Sequence, residues 1–325
     1  MLRVLPILLA AALSTSCGDS NVTGTVKRIA VIPKGTTHSF WRAVHCGAAR
    51  ADQDFADIEI VWKAPLGEND MTQQVALLES FVAEGYDGIC LAPLDTRGLV
   101  GGVRNAIDRG VAVLIFDSPL ENCDLRITST VATDNLKGGE LAGHELARRI
   151  GGVGDVVVLR YMAGSYSTNL REQGCLAALK LTPGIRVITD DVYAGPDESS
   201  AVAVSERLLA SLGDRIVGVF CSNESTASGF LTALARDPRG IAGRIKVVAF
   251  DTSKRIVDAL ESGSLAATVV QNPVKMGYAA VSTMRAHLRG EKTESVVETG
   301  ETLVTRETMF DPEVRALLEP PEQIR

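Results

Sequence analysis

The chain has 325 residues, 46% apolar and 22% charged, the composition of a globular protein long enough for two domains of about 130–150 residues each. A net charge of −7 and the lack of any basic run argue against nucleic acid as a partner.

The first element is an export signal. Arg3 precedes an apolar stretch at 4–13, far short of the roughly 20 residues that span a bilayer. Ser14, Thr15 and Ser16 then lead to Cys17, an order that resembles a bacterial lipoprotein signal. Residues 1–16 are read as the signal peptide, Cys17 as the lipidated first residue of the mature chain, and 17–25 as lipidated Cys plus tether. Ser14 stands where such signals carry a large apolar residue, so cleavage near the same point by an ordinary signal peptidase is the alternative.

From residue 28 strands and helices alternate. Strands are expected at 28–32, 58–63 and 89–92, and helices at 40–56, 71–84 and 99–108, the last stopped by Gly110. The run V-A-V-L-I-F-D-S at 111–118 reads as a strand buried on both faces, with Asp117 at its carboxyl end. A β-rich segment at 126–133 leads through Asp134-Asn135 into a helix ending at 150. A second series follows. Its strands are 155–159, 185–193, 216–221, 245–251 and 265–271, with helices starting at Thr168, Glu198, Thr226 and Lys254. A helix from Pro273 to Leu288, a strand pair or extended segment at 296–304 and a short helix in the tail complete the chain. The fold class is α/β, with two Rossmann-like lobes, each a parallel sheet flanked by helices.

Several chemistries fail on context. Gly151-Gly152-Val153-Gly154 follows a helix and precedes a strand, the reverse of a dinucleotide loop. No G-x-S-x-G elbow exists for a hydrolase. His38, His45 and Cys46 have no carboxylate partner for a metal. No enzyme activity, cofactor or metal is expected. Beyond Cys17, Cys46, Cys90, Cys123, Cys175 and Cys221 are odd in number and widely spaced. Cys90 and Cys221 sit in apolar strands as small hydrophobes, and spacing assigns no disulfide among the others.

In open α/β sheets ligands bind at the carboxyl ends of strands. Those ends carry Thr37, His38, Phe40 and Trp41, then Asp117 and Ser118, then Tyr166, Ser167 and Arg171, then Asn223, Asp251 and Gln271. The design V-V-A-F-D-T-S at 247–253 repeats that of 111–118, so two halves each end a buried strand in Phe-Asp. Carboxylates accept from paired hydroxyls, amides both donate and accept, and arginine donates in a fork, which together suit a neutral polyol. Phe40 and Trp41 offer aromatic planes for a sugar's C–H face, although adjacent helix residues point apart and one of them belongs to the core. Two acids against one base disfavour an anionic ligand. Simpler roles compete: Asn223 as a helix cap, Gln271 as a turn residue, Arg171 as an exposed helix charge, with His38 the weakest member.

The motifs T-T-H-S-F-W at 36–41, F-D-S at 116–118, T-D-N-L-K-G-G at 133–139, N-L-R-E-Q-G at 169–174, S-N-E at 222–224, A-F-D at 249–251 and A-A-T-V-V-Q-N-P at 266–273 together carry a resemblance. The chain resembles the periplasmic sugar-binding proteins of the ribose-binding type, receptors of ABC importers. The resemblance implies a first lobe of 26–132 plus 272–299 and a second of 133–271 plus 300–310. A three-segment hinge near Thr133, Gln271 and Gly300 joins them, and a tail runs over 311–325. It implies ligand roles for Asp117, Arg171, Asn223, Asp251 and Gln271, puts His38 where the family usually has Asn, and makes Phe40 and Trp41 the paired aromatics. Ser118 departs, since ribose binders typically have Arg there. A pentose, hexose, polyol or furanosyl signal all stay open. The implied protein is a monomeric receptor in the periplasm or on a membrane's outer face, lipid-anchored through Cys17 and delivering sugar to ABC permease subunits. The alternative is a sensory receptor coupled to a membrane kinase or chemoreceptor. A repressor would need a helix-turn-helix domain before the first strand, where only the signal stands.

Overall fold

The computed structural model describes residues 25–121 and 124–321. The expected signal peptide, Cys17, Cys123 and residues 322–325 lie outside the described residues. The elements in chain order are β1 (Lys27–Ile32), α1 (Ser39–Asp54), β2 (Ile58–Trp62), α2 (Met71–Ala83), β3 (Gly88–Leu91), α3 (Val100–Asp108), β4 (Ala112–Phe116) and β5 (Thr130–Ala132). Then come α4 (Asn135–Arg149), β6 (Gly154–Leu159), α5 (Tyr166–Lys180), β7 (Ile185–Thr189), α6 (Glu198–Leu212), β8 (Ile216–Cys221), α7 (Glu224–Arg236), β9 (Lys246–Phe250), α8 (Lys254–Ser262) and β10 (Ala267–Gln271). The chain ends with α9 (Pro273–Leu288), β11 (Val296–Glu298), β12 (Glu301–Thr305) and α10 (Pro312–Leu318).

These strands form two six-stranded sheets, ordered β11-β5-β4-β3-β1-β2 and β12-β10-β9-β8-β6-β7. Their continuous apolar runs follow from burial on both faces. In β1, Val31 turns toward Trp41, Leu114 and Met276, while its neighbour Ile32 turns toward Leu78, Phe81 and Ile115. In β6, Val157 joins Phe230 and Leu209, and Val158 joins Leu146 and Phe250. Cys90, Cys175 and Cys221 are buried thiols within these cores.

One strand departs from the parallel expectation. β12 runs antiparallel to β10, with Glu301 opposite Gln271 and Thr305 opposite Ala267. The cause is the route of the chain. It leaves the carboxyl end of β11, turns at Gly300 (φ 86°), and enters the second sheet at the carboxyl end of β10, so it can only run backward. The strand expected over 185–193 is also shorter. The Asp190-Asp191 pair turns to its own polar partners, leaving only an isolated bridge between Arg160 and Tyr193.

The chain passes between the sheets after β5, after β10 and after β11. Thr133 and Thr299, on the first and third of these connections, share a hydroxyl hydrogen bond of 3.0 Å. The tail returns to the second lobe, where the Thr252 hydroxyl donates to the Leu318 carbonyl at 2.8 Å.

Helices α1/α9 and α4/α5 meet backbone to backbone. A Cβ on Gly47 would strike the Val274 carbonyl and one on Gly277 the Val44 carbonyl, while Gly139 faces the Arg171 carbonyl and Gly174 that of Leu136. Each lobe thus has a close helix pair of this kind, and in the second lobe that contact fixes the backbone of Arg171.

Candidate functional site

Asp117 and Asp251 follow the last residues of β4 and β9. They are the only non-glycine residues with positive φ among the described residues, at 64° and 70°. In each, the amide donates to the neighbouring strand, Asp117 to Val131 at 2.9 Å and Asp251 to Val269 at 2.8 Å. Left-handed backbone is costly for a residue with a Cβ, and Asp is among the types that tolerate it. Both lobes carry the same local strain, and in both it turns a carboxylate off the strand axis into the space between the sheets.

Around Asp117 the charge is matched within the first lobe. Lys34 Nζ lies 2.6 Å from Asp117 Oδ2, and it donates to Ser118 Oγ at 2.8 Å. Ser118 Oγ in turn donates to Asp117 Oδ2 at 2.9 Å. Around Asp251, Arg171 Nη1 donates to Oδ2 at 3.1 Å and Gln271 Nε2 to Oδ1 at 2.6 Å. Arg171 is held further by Asn135 Oδ1 (2.7 Å), the Ser222 carbonyl (3.1 Å) and the Phe250 ring beneath its guanidinium (3.9 Å). A third pair, His38 Nδ1 and Glu68, is 2.8 Å apart. Trp41 Nε1 donates to Glu68 at 2.6 Å, and the Tyr161 hydroxyl of the second lobe meets the same carboxylate at 3.1 Å.

His38, Phe40, Trp41, Asp117, Arg171, Asn223, Asp251 and Gln271 line one narrow cavity of about 30 Å³ between the lobes. Ser118 does not; it is 1% exposed and stands behind Asp117. The positive charge that Ser118 cannot supply comes instead from Lys34, two strands away after β1. Trp41 packs in the core, edge-on to Phe116, and also borders the cavity beside Phe40. Arg171 is 3% exposed rather than a surface charge. Asn223 does cap α7, accepting from the Thr226 amide at 3.2 Å, and still reaches the cavity.

Lys34, Glu68, Tyr161, Ser165, Ser167, Thr168 and Glu224 complete the lining. The expected balance of two acids against one base is therefore corrected: Asp117, Asp251, Glu68 and Glu224 face Lys34, Arg171 and His38. Lys34 and Glu68 lie just beyond β1 and β2, so a survey of every strand end would have found them. Tyr161 and Glu224 lie just beyond β6 and β8, so the same survey would have reached them, and Glu224 also closes the S-N-E motif.

Burial alone would lower the pKa of His38, but the Glu68 carboxylate outweighs it and raises it to about 9. Burial would likewise raise Glu68; His38 and Lys34 outweigh it and hold it at about 2. His38 therefore adds stability fully below its ordinary 6.5 and loses it as pH rises through about 9. Glu68 adds stability above its ordinary 4.5 and loses it as pH falls through about 2. Thermal melts should reach their maximum from this pair between pH 4.5 and 6.5, and His38→Asn should flatten the alkaline decline; an unchanged alkaline limb would show that the pair does not act this way.

Three buried side-chain atoms at this cavity have no protein partner: His38 Nε2, Gln271 Oε1 and Glu224 Oε2. With His38 Nδ1 directed at Glu68 and the ring protonated, Nε2 is a donor, and Gln271 Oε1 is an acceptor. Unpaired buried polar atoms are costly unless something fills them.

Two α/β lobes whose strand ends face one polar cavity define a two-lobe solute receptor. A family model described as a periplasmic binding protein domain matches residues 29–292, and the chain belongs to that family. The likeness to its ribose-binding group, carried by the motifs above, extends to whole chains. One relative, the D-ribose/D-allose-binding protein of Pseudomonas aeruginosa, is 28% identical over 92% of this chain and 97% of its own. A solved solute-binding protein of an ABC transporter from Agrobacterium vitis, with bound D-fucose, superposes with a TM-score of 0.85 at 31% identity, covering 90% of this chain and all of its own. Another, from Agrobacterium radiobacter in complex with D-arabinose, gives 0.84 at 31% identity over 92% of this chain and all of its own.

Proposed function

We propose that this protein is an exported receptor that binds one neutral monosaccharide or small polyol between its lobes and delivers it to an ABC importer. The supporting observation is the pair of left-handed aspartates, one from each lobe, converging with unpaired His38 Nε2 and Gln271 Oε1 on one cavity. Sugar hydroxyls both donate and accept, so one ring can fill both kinds of vacancy at once. Neutrality follows from the pairing. Lys34, His38 and Arg171 each already face a carboxylate, which leaves no free cation among the described residues that line the cavity to hold a phosphate or an acid.

In this reading Asp117, His38, Phe40 and Lys34 engage the ligand from the first lobe and Arg171, Asn223 and Asp251 from the second. Gln271 lies where the chain crosses, and Ser118 and Trp41 hold their neighbours in place. Closure over the ligand, rather than any bond-making step, is the working event. Cys17 as a lipid anchor, a monomeric state, an ABC permease as the partner and the lobe division near Thr133, Gln271 and Gly300 belong to the same proposal.

A thermal-shift panel of D-ribose, D-allose, D-arabinose and D-fucose beside sugar phosphates and sugar acids tests it. A neutral sugar at a hundred times its Kd should stabilise the fold by about 2.7 kcal/mol, a rise of several degrees in melting temperature. Stabilisation by the anionic compounds alone would overturn the reading.

A further inference from the structure

Tyr161 follows β6 in the second lobe, and its hydroxyl donates to Glu68 of the first lobe at 3.1 Å. The two carboxylate oxygens of Glu68 divide by lobe. Oε1 faces His38 Nδ1 at 2.8 Å and accepts from Trp41 Nε1 at 2.6 Å, both first-lobe groups, while Oε2 accepts from Tyr161. The Tyr161 ring also stands edge-on to His38, with 6.1 Å between ring centroids. A second cross-cleft contact, Lys34 Nζ to Ser167 Oγ, is longer at 3.4 Å.

Tyr161 is a rigid arm. It is 1% exposed, its amide donates to Glu172 Oε1 at 3.1 Å, and Ser222 Oγ donates to the same oxygen at 2.9 Å. Its hydroxyl also lies 3.1 Å from the Pro196 carbonyl of its own lobe. A hydroxyl carries one proton, so it can serve Glu68 when the lobes meet and Pro196 when they part. Glu68 Oε2 exchanges water for Tyr161 as the cleft closes, and a carboxylate oxygen buried without a donor is costly.

We propose that Tyr161 is a positioning residue that couples closure to ligand recognition: its hydroxyl completes the donor set of Glu68 across the cleft, and Glu68 holds His38 with its unpartnered Nε2 turned to the ligand. The proposal deepens the sugar-receptor reading and rests on it for the ligand. The Tyr161 hydroxyl acts on closure and so contributes to every sugar alike. His38 Nε2 contributes according to the ligand hydroxyl it meets.

Tyr161→Phe keeps the ring and removes only the hydroxyl. For each of D-ribose, D-allose, D-arabinose and D-fucose that binds wild type, release is followed by stopped-flow tryptophan fluorescence, since Trp41 itself donates to Glu68. Release should be about tenfold faster from Tyr161→Phe for every such sugar. The ratios between sugars should stay as in wild type, whereas His38→Asn should shift them. An unchanged release rate, or a change for one sugar only, overturns the proposal. Small-angle scattering supplies a readout without any sugar. Tyr161→Phe should be more expanded than wild type, with thermal melts confirming that both are folded. A tyrosine that merely supports its own lobe would lower the melting temperature without moving the radius, so equal radii also overturn the proposal. If none of the sugars binds wild type, the receptor reading fails, and the scattering comparison still decides the role of Tyr161 in closure.

Discussion

Asp251→Asn is expected to weaken sugar binding by at least about 100-fold, equivalent to roughly 2.7 kcal/mol, in a protein that still folds. Asparagine tolerates the left-handed backbone held at φ 70°, so the strand end keeps its shape. What disappears is the charge. Asp251 accepts from both Arg171 and Gln271, and Arg171 is 3% exposed. Removing the counter-charge leaves a buried guanidinium uncompensated, which costs about 3 kcal/mol or more of stability and frees the Arg171 head from its position. Asp251→Ala is a poorer test, since it adds backbone strain of about 1 kcal/mol or more to the same loss. Calorimetric titration together with denaturant unfolding separates the two effects. Unchanged affinity in a folded Asp251→Asn protein would remove Asp251 from the site.

Gly139→Ala is expected to destabilise the protein by about 3 kcal/mol, lowering its melting temperature by roughly 5–10 °C. The new Cβ would run into the Arg171 carbonyl, a backbone atom that cannot swing aside. Helices α4 and α5 must separate, carrying Arg171 with them, so sugar affinity should fall although residue 139 does not line the cavity. Gly101, inside α3 with open space around its Cβ position, is the control. Gly101→Ala should stabilise by about 0.5–1 kcal/mol, since alanine loses less backbone freedom in a helix. Equal effects at both positions would show that the α4/α5 contact has no special weight.

The alternation of strand and helix was legible because buried parallel strands announce themselves as unbroken apolar runs, and because Gly110, Asn223 and Asn272-Pro273 punctuate the helices. The Phe-Asp recurrence at Asp117 and Asp251 pointed to two lobes facing one another, but the shared left-handed backbone that aims both carboxylates has no signature in residue type. Lys34 was within reach of a strand-end survey, but its pairing with Asp117 was not. Ser118 lacks a cation in its own loop, and only the sheet order, which sets β1 beside β3 and β3 beside β4, brings a lysine from after β1 to within 2.6 Å of Asp117. Tyr161 meets Glu68 across the cleft, and contacts between lobes depend on the closing of the hinge rather than on any local pattern. The reversed direction of β12 is of the same kind, imposed by where the chain re-enters the second sheet.

The central claim is one ligand held between two lobes, and titration calorimetry of a single sugar against three proteins tests it most directly. With the best binder among D-ribose, D-allose, D-arabinose and D-fucose, wild type should bind one equivalent. Asp117→Asn and Asp251→Asn, altered in different lobes, should each lose at least about 100-fold in affinity. A sugar that binds wild type and both variants alike, or that loses affinity in only one of them, would contradict a site shared between the lobes.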